Sequence, residues 1–166
     1  SLDQCNIRLD LHNFDIVFLI NNVFEMMEIR SKKSNVRLEF DKDYNKPILV
    51  HGDYERIQQV LTNLIVNSIK YGTQGGKTEV RIQSFDKEKI IIRVKDNGEG
   101  IDDENLPRLF ERFFRIDKSG NRKKGGSGLG LSIVKHIIEA HREQIFVESQ
   151  LNVGSEFSFT LSKARI

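Results

Sequence analysis

The chain has one cysteine, Cys5, two prolines and no tryptophan in 166 residues. A single cysteine cannot close an internal disulfide, and it fits a reducing compartment. A chain of this length suits one domain and buries roughly 70% of the surface its unfolded form exposes, so it needs no covalent or metal staple. Long apolar runs are missing too: nothing approaches the eighteen or so residues of a membrane-spanning helix. Residues 1–10 are polar and acidic where a secretion signal would be basic and then apolar. No charge sign dominates, with 26 Lys and Arg against 24 Asp and Glu, a net of +2. That balance gives no general reason to expect nucleic acid as a partner. Charge is not gathered into blocks, and with so little proline the composition is that of a folded chain.

What is present is periodic. Residues 1–13 read as a tail or linker remnant. Over 14–33, Ile16, Leu19, Ile20, Val23, Phe24, Met27 and Ile29 recur mostly at threes and fours, predicting an amphipathic helix. Strands are expected at 36–40 and 48–50, then a helix over 53–71 that Asp53 can cap. A hairpin follows, with strands at 80–85 and 90–95. A short helix is expected at 105–113, with Pro107 in its first turn. Residues 116–126 are basic, contain glycine and lack periodicity. A helix over 129–141 and strands at 145–149 and 156–161 complete the chain. The order predicts an α/β (α+β) sandwich: a mixed, mostly antiparallel sheet of about five main strands, with about three helices on one face. The folded domain is expected to span 14–162, with 163–166 a C-terminal tail.

Three motifs carry chemistry. On the helix 53–71, Asn63, Asn67 and Lys70 share the face opposite the apolar stripe, with Tyr71 at its edge. Asparagine is a poor helix former, so two in mid-helix one turn apart want a reason. A carboxamide oxygen can bind Mg²⁺, and an ammonium meets phosphate as a point charge. Next, Asp96-Asn97-Gly98-Glu99-Gly100-Ile101 ends an apolar strand. Its glycines allow a ligand close to backbone, and Asp96 can accept from an exocyclic amine. Third, Gly125-Gly126-Ser127-Gly128-Leu129-Gly130-Leu131 opens a helix and offers free N–H groups to phosphate. Its spacing matches neither the Walker loop nor the dinucleotide fingerprint. Taken singly, each also has an ordinary structural reading: a solvated helix face, a tight turn, a linker. Between the last two lies a segment rich in arginine, lysine and phenylalanine, 108–124, which has the makings of a closing lid.

In this order, the motifs resemble the catalytic ATP-binding domain of sensor histidine kinases. These belong to the gyrase–chaperone–histidine kinase–mismatch-repair ATPase superfamily. The resemblance runs from about residue 14 to 161. Its asparagine box is 59–71, its glycine boxes are 96–101 and 126–131, and its phenylalanine box is 109–115. It implies a flexible ATP lid, and ATP and Mg²⁺ as ligands. Asn67 would coordinate the metal, Asn63 would support that end, and Lys70 would contact phosphate with Tyr71 near the nucleotide. Asp96 would accept the adenine amine in a pocket shaped by Gly98, Gly100 and Ile101. Arg112 or Arg115 would reach the γ-phosphate. Gly126, Gly128 and Gly130 would wrap the phosphates beside Leu129 and Leu131, and Ser155 would reach adenine through water. The family often has His-Gly-Gly where this chain has His141-Arg142-Glu143, and alanine is commoner at Ser68.

Position 63 bears on the reaction. The superfamily's hydrolytic members place a glutamate there to activate water, and an amide cannot accept a proton as a general base. The resemblance therefore implies slow hydrolysis and phosphoryl transfer to a histidine, governed by positioning and charge neutralisation. The acceptor would lie on a separate dimerisation and phosphoacceptor domain of the parent chain. A response regulator receiver domain would take the phosphoryl group onward. The parent would be a membrane-anchored homodimer, with this part monomeric by itself and cytoplasmic. A serine kinase or anti-sigma factor of the same superfamily, and a non-catalytic nucleotide-binding module, remain alternatives.

Overall fold

The computed structural model describes residues 7–115 and 130–165. The elements run β1 (His12–Asp15), α1 (Ile16–Met26), α2 (Glu28–Lys33), β2 (Arg37–Phe40), β3 (Leu49–Gly52), α3 (Tyr54–Tyr71), β4 (Lys77–Ser84), β5 (Lys89–Asp96), α4 (Gly130–Ala140), β6 (Ile145–Gln150) and β7 (Gly154–Lys163). One seven-stranded sheet has the order β1-β3-β7-β5-β4-β2, and β6 pairs with β7. β2 runs parallel to β4, and every other pairing among the described residues is antiparallel. The expected mixed, mostly antiparallel sandwich is therefore present, with seven strands where about five were expected.

β7 is the spine. β5 pairs along its length on one side, while β6 and then β3 share the other. Strand alternation sends Val80, Ile82, Ile92, Val94, Phe157, Phe159 and Leu161 to the face that the helices cover. There they meet Ile57, Leu61, Leu64 and Ile65 of α3, Ile16, Leu19 and Ile20 of α1, and Val134, Ile137 and Ile138 of α4, all buried. α3 lies between α1 and α4 and packs on both. The other face carries charge ladders such as Arg81–Glu79 at 3.1 Å and Arg93–Glu156 at 3.3 Å.

Four expectations need correction. First, residues 12 and 13, expected as tail, pair in the sheet opposite Gly52 and His51. The C-terminal stretch is equally engaged: Lys163 pairs with Val50, and Asn13 Nδ2 donates to the Arg165 carbonyl at 2.6 Å. Second, the helix expected from residue 14 begins only at Ile16, with Asp15 as the N-cap of α1. Its Oδ1 accepts from the N–H of Val17 and, across the sheet, of Ile48. Third, the helix expected over 14–33 turns at Met27 (φ −95°, ψ 0°). Beyond it α2 buries only Ser31, and Ile29, expected inward, is 74% exposed. Fourth, the helix expected over 105–113 shrinks to one 3₁₀ turn, Leu106–Arg108. Phe113 then takes φ +65°, which no continuing right-handed helix allows.

Candidate nucleotide-binding site

Register alone builds the floor of the site. Thr78 on β4 pairs with Asp96 on β5, Asp96 with Ser155 on β7, and Ser155 with Ser149 on β6. Four strands thus place one polar row across the helix-facing side of the sheet. The next row inward is Val80, Val94, Phe157 and Val147, entirely apolar. A polar row beneath helices costs free energy unless each group is paired, so it marks a site. Thr78 is paired with Ser68 of α3, both hydroxyls being buried and hydrogen-bonded to each other. That accounts for serine at 68 where alanine is commoner.

Asp96 is 4% exposed. Its Oδ1 accepts from the N–H of Gly98 at 2.9 Å and of Ser155 at 3.3 Å. Its Oδ2 accepts nothing from the described residues. Burial pushes its pKa above the ordinary carboxylate value, the two N–H donors pull it back, and the charge of Glu99 adds to the rise. A buried carboxylate with one oxygen unpartnered is poised for a donor from outside.

Tight backbone contacts bring three segments together here. A Cβ at Gly98 would run into the Tyr71 carbonyl at the end of α3. A Cβ at Gly100 (φ +75°) would run into the Gln150 carbonyl at the end of β6. Hydrogen bonds from Glu99 N to Tyr71 O and from Asn152 N to Glu99 O close the same junction. Ile101, 6% exposed, follows in the core.

The α3 face expected to carry the amides and the lysine does so. Asn63 is half-buried and donates from Nδ2 to the Gly130 carbonyl at 3.2 Å, tying α3 to the start of α4. Asn67, one turn on, is half-buried, and its carboxamide bonds no described residue. Burial holds the Lys70 ammonium below its ordinary pKa, followed by the positive charges of Arg115 and Arg30. Cations that crowd one another are relieved by a polyanion. Among the described residues, Lys70 has no carboxylate partner.

The two arginines expected to reach phosphate differ. Arg115 is half-buried and close enough for its charge to act on Lys70, whereas Arg112 is exposed. Phe110 meets Phe157 edge-on at 6.3 Å, which anchors this stretch to β7 beside the polar row. Arg108 stacks on Phe114 at 4.5 Å. Leu131 packs on the core at the first turn of α4, and Gly130 is exposed. Gly126, Gly128 and Leu129, and the lid expected at 116–126, lie outside the described residues. The structure adds one residue the sequence reading missed, Ser149, whose hydroxyl accepts from Ile101 N at 2.7 Å. Its only sequence signal is a serine at an inward position of an alternating strand.

A fold with a sheet covered on one face, an amide-bearing helix and a buried lone carboxylate at a glycine turn defines an ATP-binding domain. A family model described as "Histidine kinase-, DNA gyrase B-, and HSP90-like ATPase" matches residues 52–165. The chain is 38% identical over 145 residues to the sensor histidine kinase WalK of Bacillus subtilis, covering 86% of this chain and 23% of that protein. It is 35% identical over 163 residues to a sensor-like histidine kinase, ycf26, of Porphyra purpurea, covering 91% of this chain and 24% of that protein. The solved catalytic domain of the histidine kinase ThkA superposes with a TM-score of 0.79 at 30% identity, covering 94% of this chain and 99% of that one. Full-length ShkA in complex with AMPPNP gives a TM-score of 0.82 at 26% identity, covering 96% of this chain and 33% of that one. The chain belongs to this family, as the ATP-binding catalytic domain of a sensor histidine kinase of two-component signalling. It spans about a quarter of the length of the two curated relatives named above.

Proposed function

We propose that the domain binds ATP with Mg²⁺ and transfers the γ-phosphoryl group to a histidine on a separate dimerisation and phosphoacceptor domain of its parent chain. A response regulator receiver domain then takes the group onward. The observation that carries this reading is the half-satisfied Asp96 carboxylate at the glycine turn that packs on the end of α3, the helix that carries Asn67 and Lys70. Asp96 Oδ2 accepts the adenine amine, in a base pocket bounded by Gly98, Gly100, Ile101 and Ser155. Tyr71 sits at the edge of that pocket and Leu131 at its α4 side.

The donor set fits magnesium: Asn67 offers a hard carboxamide oxygen bonded to no described residue. Bound there, the ion supplies charge neutralisation to the phosphates. Lys70 adds positive charge at the same end, and Arg112 or Arg115, from the stretch after the 3₁₀ turn, reaches the γ-phosphate. Gly126, Gly128, Leu129 and Gly130 supply the backbone of the phosphate loop. Asn63 is held by the Gly130 carbonyl and is no proton acceptor, so water is not activated and the phosphoryl group waits for an imidazole.

On this reading the catalytic unit is 14–162, steadied by the flanking residues 12–13 and 163–165. By itself it is monomeric, and the parent is a membrane-anchored homodimer with this domain on the cytoplasmic side. No helix among the described residues is long and apolar enough to cross a membrane. The test supplies the chain and labelled ATP to the separately produced phosphoacceptor domain. Label that is lost in acid and kept in base is expected on that domain. Acid-stable label, or rapid release of free phosphate without the acceptor, would overturn the reading.

A further inference from the structure

The polar row contains a hydroxyl whose hydrogen bonds can be counted. Ser149 Oγ accepts from the Ile101 N–H at 2.7 Å. It also lies 3.0 Å from the Gly154 carbonyl and 2.8 Å from Ser155 Oγ. A carbonyl only accepts, so the one Ser149 proton goes to Gly154. A hydroxyl has one donor and two acceptor sites. The second acceptor site of Ser149 is then met by Ser155, which must donate. Ser149 is saturated, and the Ser155 proton is spent inside the protein.

We infer that Ser149 is a positioning residue for base recognition: it fixes the Ser155 hydroxyl as an acceptor, so the base end of the site presents acceptors only. Ser155 keeps its lone pairs, and beside it Asp96 keeps Oδ2. A pocket floor of acceptors takes a purine carrying a 6-amino group, directly or through one water, and repels a 6-keto group. This deepens the proposed ATP site and rests on adenine binding at Asp96. It gives Ser149, which touches no nucleotide, a part in selectivity. In Ser149→Ala the Ser155 hydroxyl is released and can turn to donate, which a 6-keto group accepts.

The experiment measures ATP and inosine triphosphate affinity by calorimetry on the whole chain, with magnesium present. These nucleotides differ at position 6 of the ring. Ser149→Ala is expected to lower the ATP-to-inosine-triphosphate affinity ratio about five- to tenfold, the scale of one hydrogen bond. Ser149→Thr, which keeps the hydroxyl, is expected to hold the ratio within about twofold of wild type. In a Ser155→Ala background, Ser149→Ala should leave the ratio unchanged. Equal loss of both affinities in Ser149→Ala, or the same ratio change with Ser155 already removed, would overturn the inference. Should Ser149→Ala not melt cooperatively, Ser155→Ala alone decides, and a wild-type ratio in that variant overturns it. A wild-type chain that binds neither nucleotide sinks the ATP site itself, whereas binding with an unmoved ratio sinks only the role of Ser149.

Discussion

Two buried carboxylates, Asp96 and Glu143, sit near opposite ends of β7 and are treated in opposite ways. Glu143 is 8% exposed and fully partnered. Its Oε1 accepts from Lys89 Nζ at 2.8 Å and Thr160 Oγ1 at 2.7 Å, and its Oε2 from Ser162 Oγ at 2.9 Å. The same end is closed by His141, whose Nδ1 donates to the Ile137 carbonyl while Nε2 accepts from the Asp53 N–H. Asp53 in turn caps α3 and accepts from Asp10 N. At the Asp96 end one carboxylate oxygen, the Asn67 carboxamide and the Lys70 ammonium are left without partners among the described residues. A buried ion with its own counter-ion and donors contributes to stability and uniqueness. One left half-satisfied costs stability and is ready for a ligand. The two ends divide the labour between holding the fold and binding.

Variants that swap the fate of one end while sparing the other sharpen this contrast. Glu143→Ala strands Lys89 and two hydroxyls, and unfolding free energy should fall by about 3 kcal/mol, while nucleotide affinity stays within about twofold. Chemical denaturation and calorimetry check both halves, and an equal loss of affinity would break the division. Asn67→Ala should do the reverse, with affinity for magnesium and ATP falling more than about a hundredfold, roughly 2.7 kcal/mol, at nearly unchanged melting temperature.

Asp96→Asn should lower ATP affinity about thirtyfold, roughly 2 kcal/mol, and stabilise the unliganded domain. Asparagine Oδ1 can still accept from Gly98 and Ser155, and no charge is buried. The direction with pH follows from the raised pKa. Folding favours the protonated acid, so the Asp96 contribution is present below the unfolded value of 3.8 and is lost as pH rises through the folded value. Asp96→Asn should therefore match wild type in acid and become the more stable of the two as pH rises, with a plateau above the folded pKa. Parallel stability curves for the two proteins would refute the burial cost. The smallest effect is expected at Arg142, which holds φ +59° in the turn between α4 and β6. Arg142→Gly should add about 0.5–1 kcal/mol, seen as a higher melting temperature with ATP binding unmoved.

Much of this was legible in the residues. The stripes of α3 and α4, the hairpin of β4 and β5 and the alternation of β6 and β7 depend on local period, and all of them formed. Asp96, Asn63, Asn67 and Lys70 could be picked out because their chemistry is odd for where they stand. What local pattern missed had tertiary causes. The apolar period over 14–33 continues past Met27, but the core it would bury against does not, so Ile29 faces solvent. His12 and Asn13 carry no strand signal and are strand only because β3 lies beside them. Ser68 and Thr78 looked unrelated across ten positions until α3 lay on β4. Arg142, where the family often has glycine, still makes the left-handed turn.

The sequence by itself determined most of the helices and strands, the inward faces of α3, α4 and the central strands, and the order of the ligand-binding motifs. These are properties of periods two to four residues long, and side-chain chemistry carries them. Only the tertiary structure decided which polar groups would be satisfied. Ser149, Ser155, Asp96 and Thr78 come from four strands, and nothing local says they share a row. Strand register alone puts them there, and burial then sets which oxygens the protein fills and which remain for a ligand.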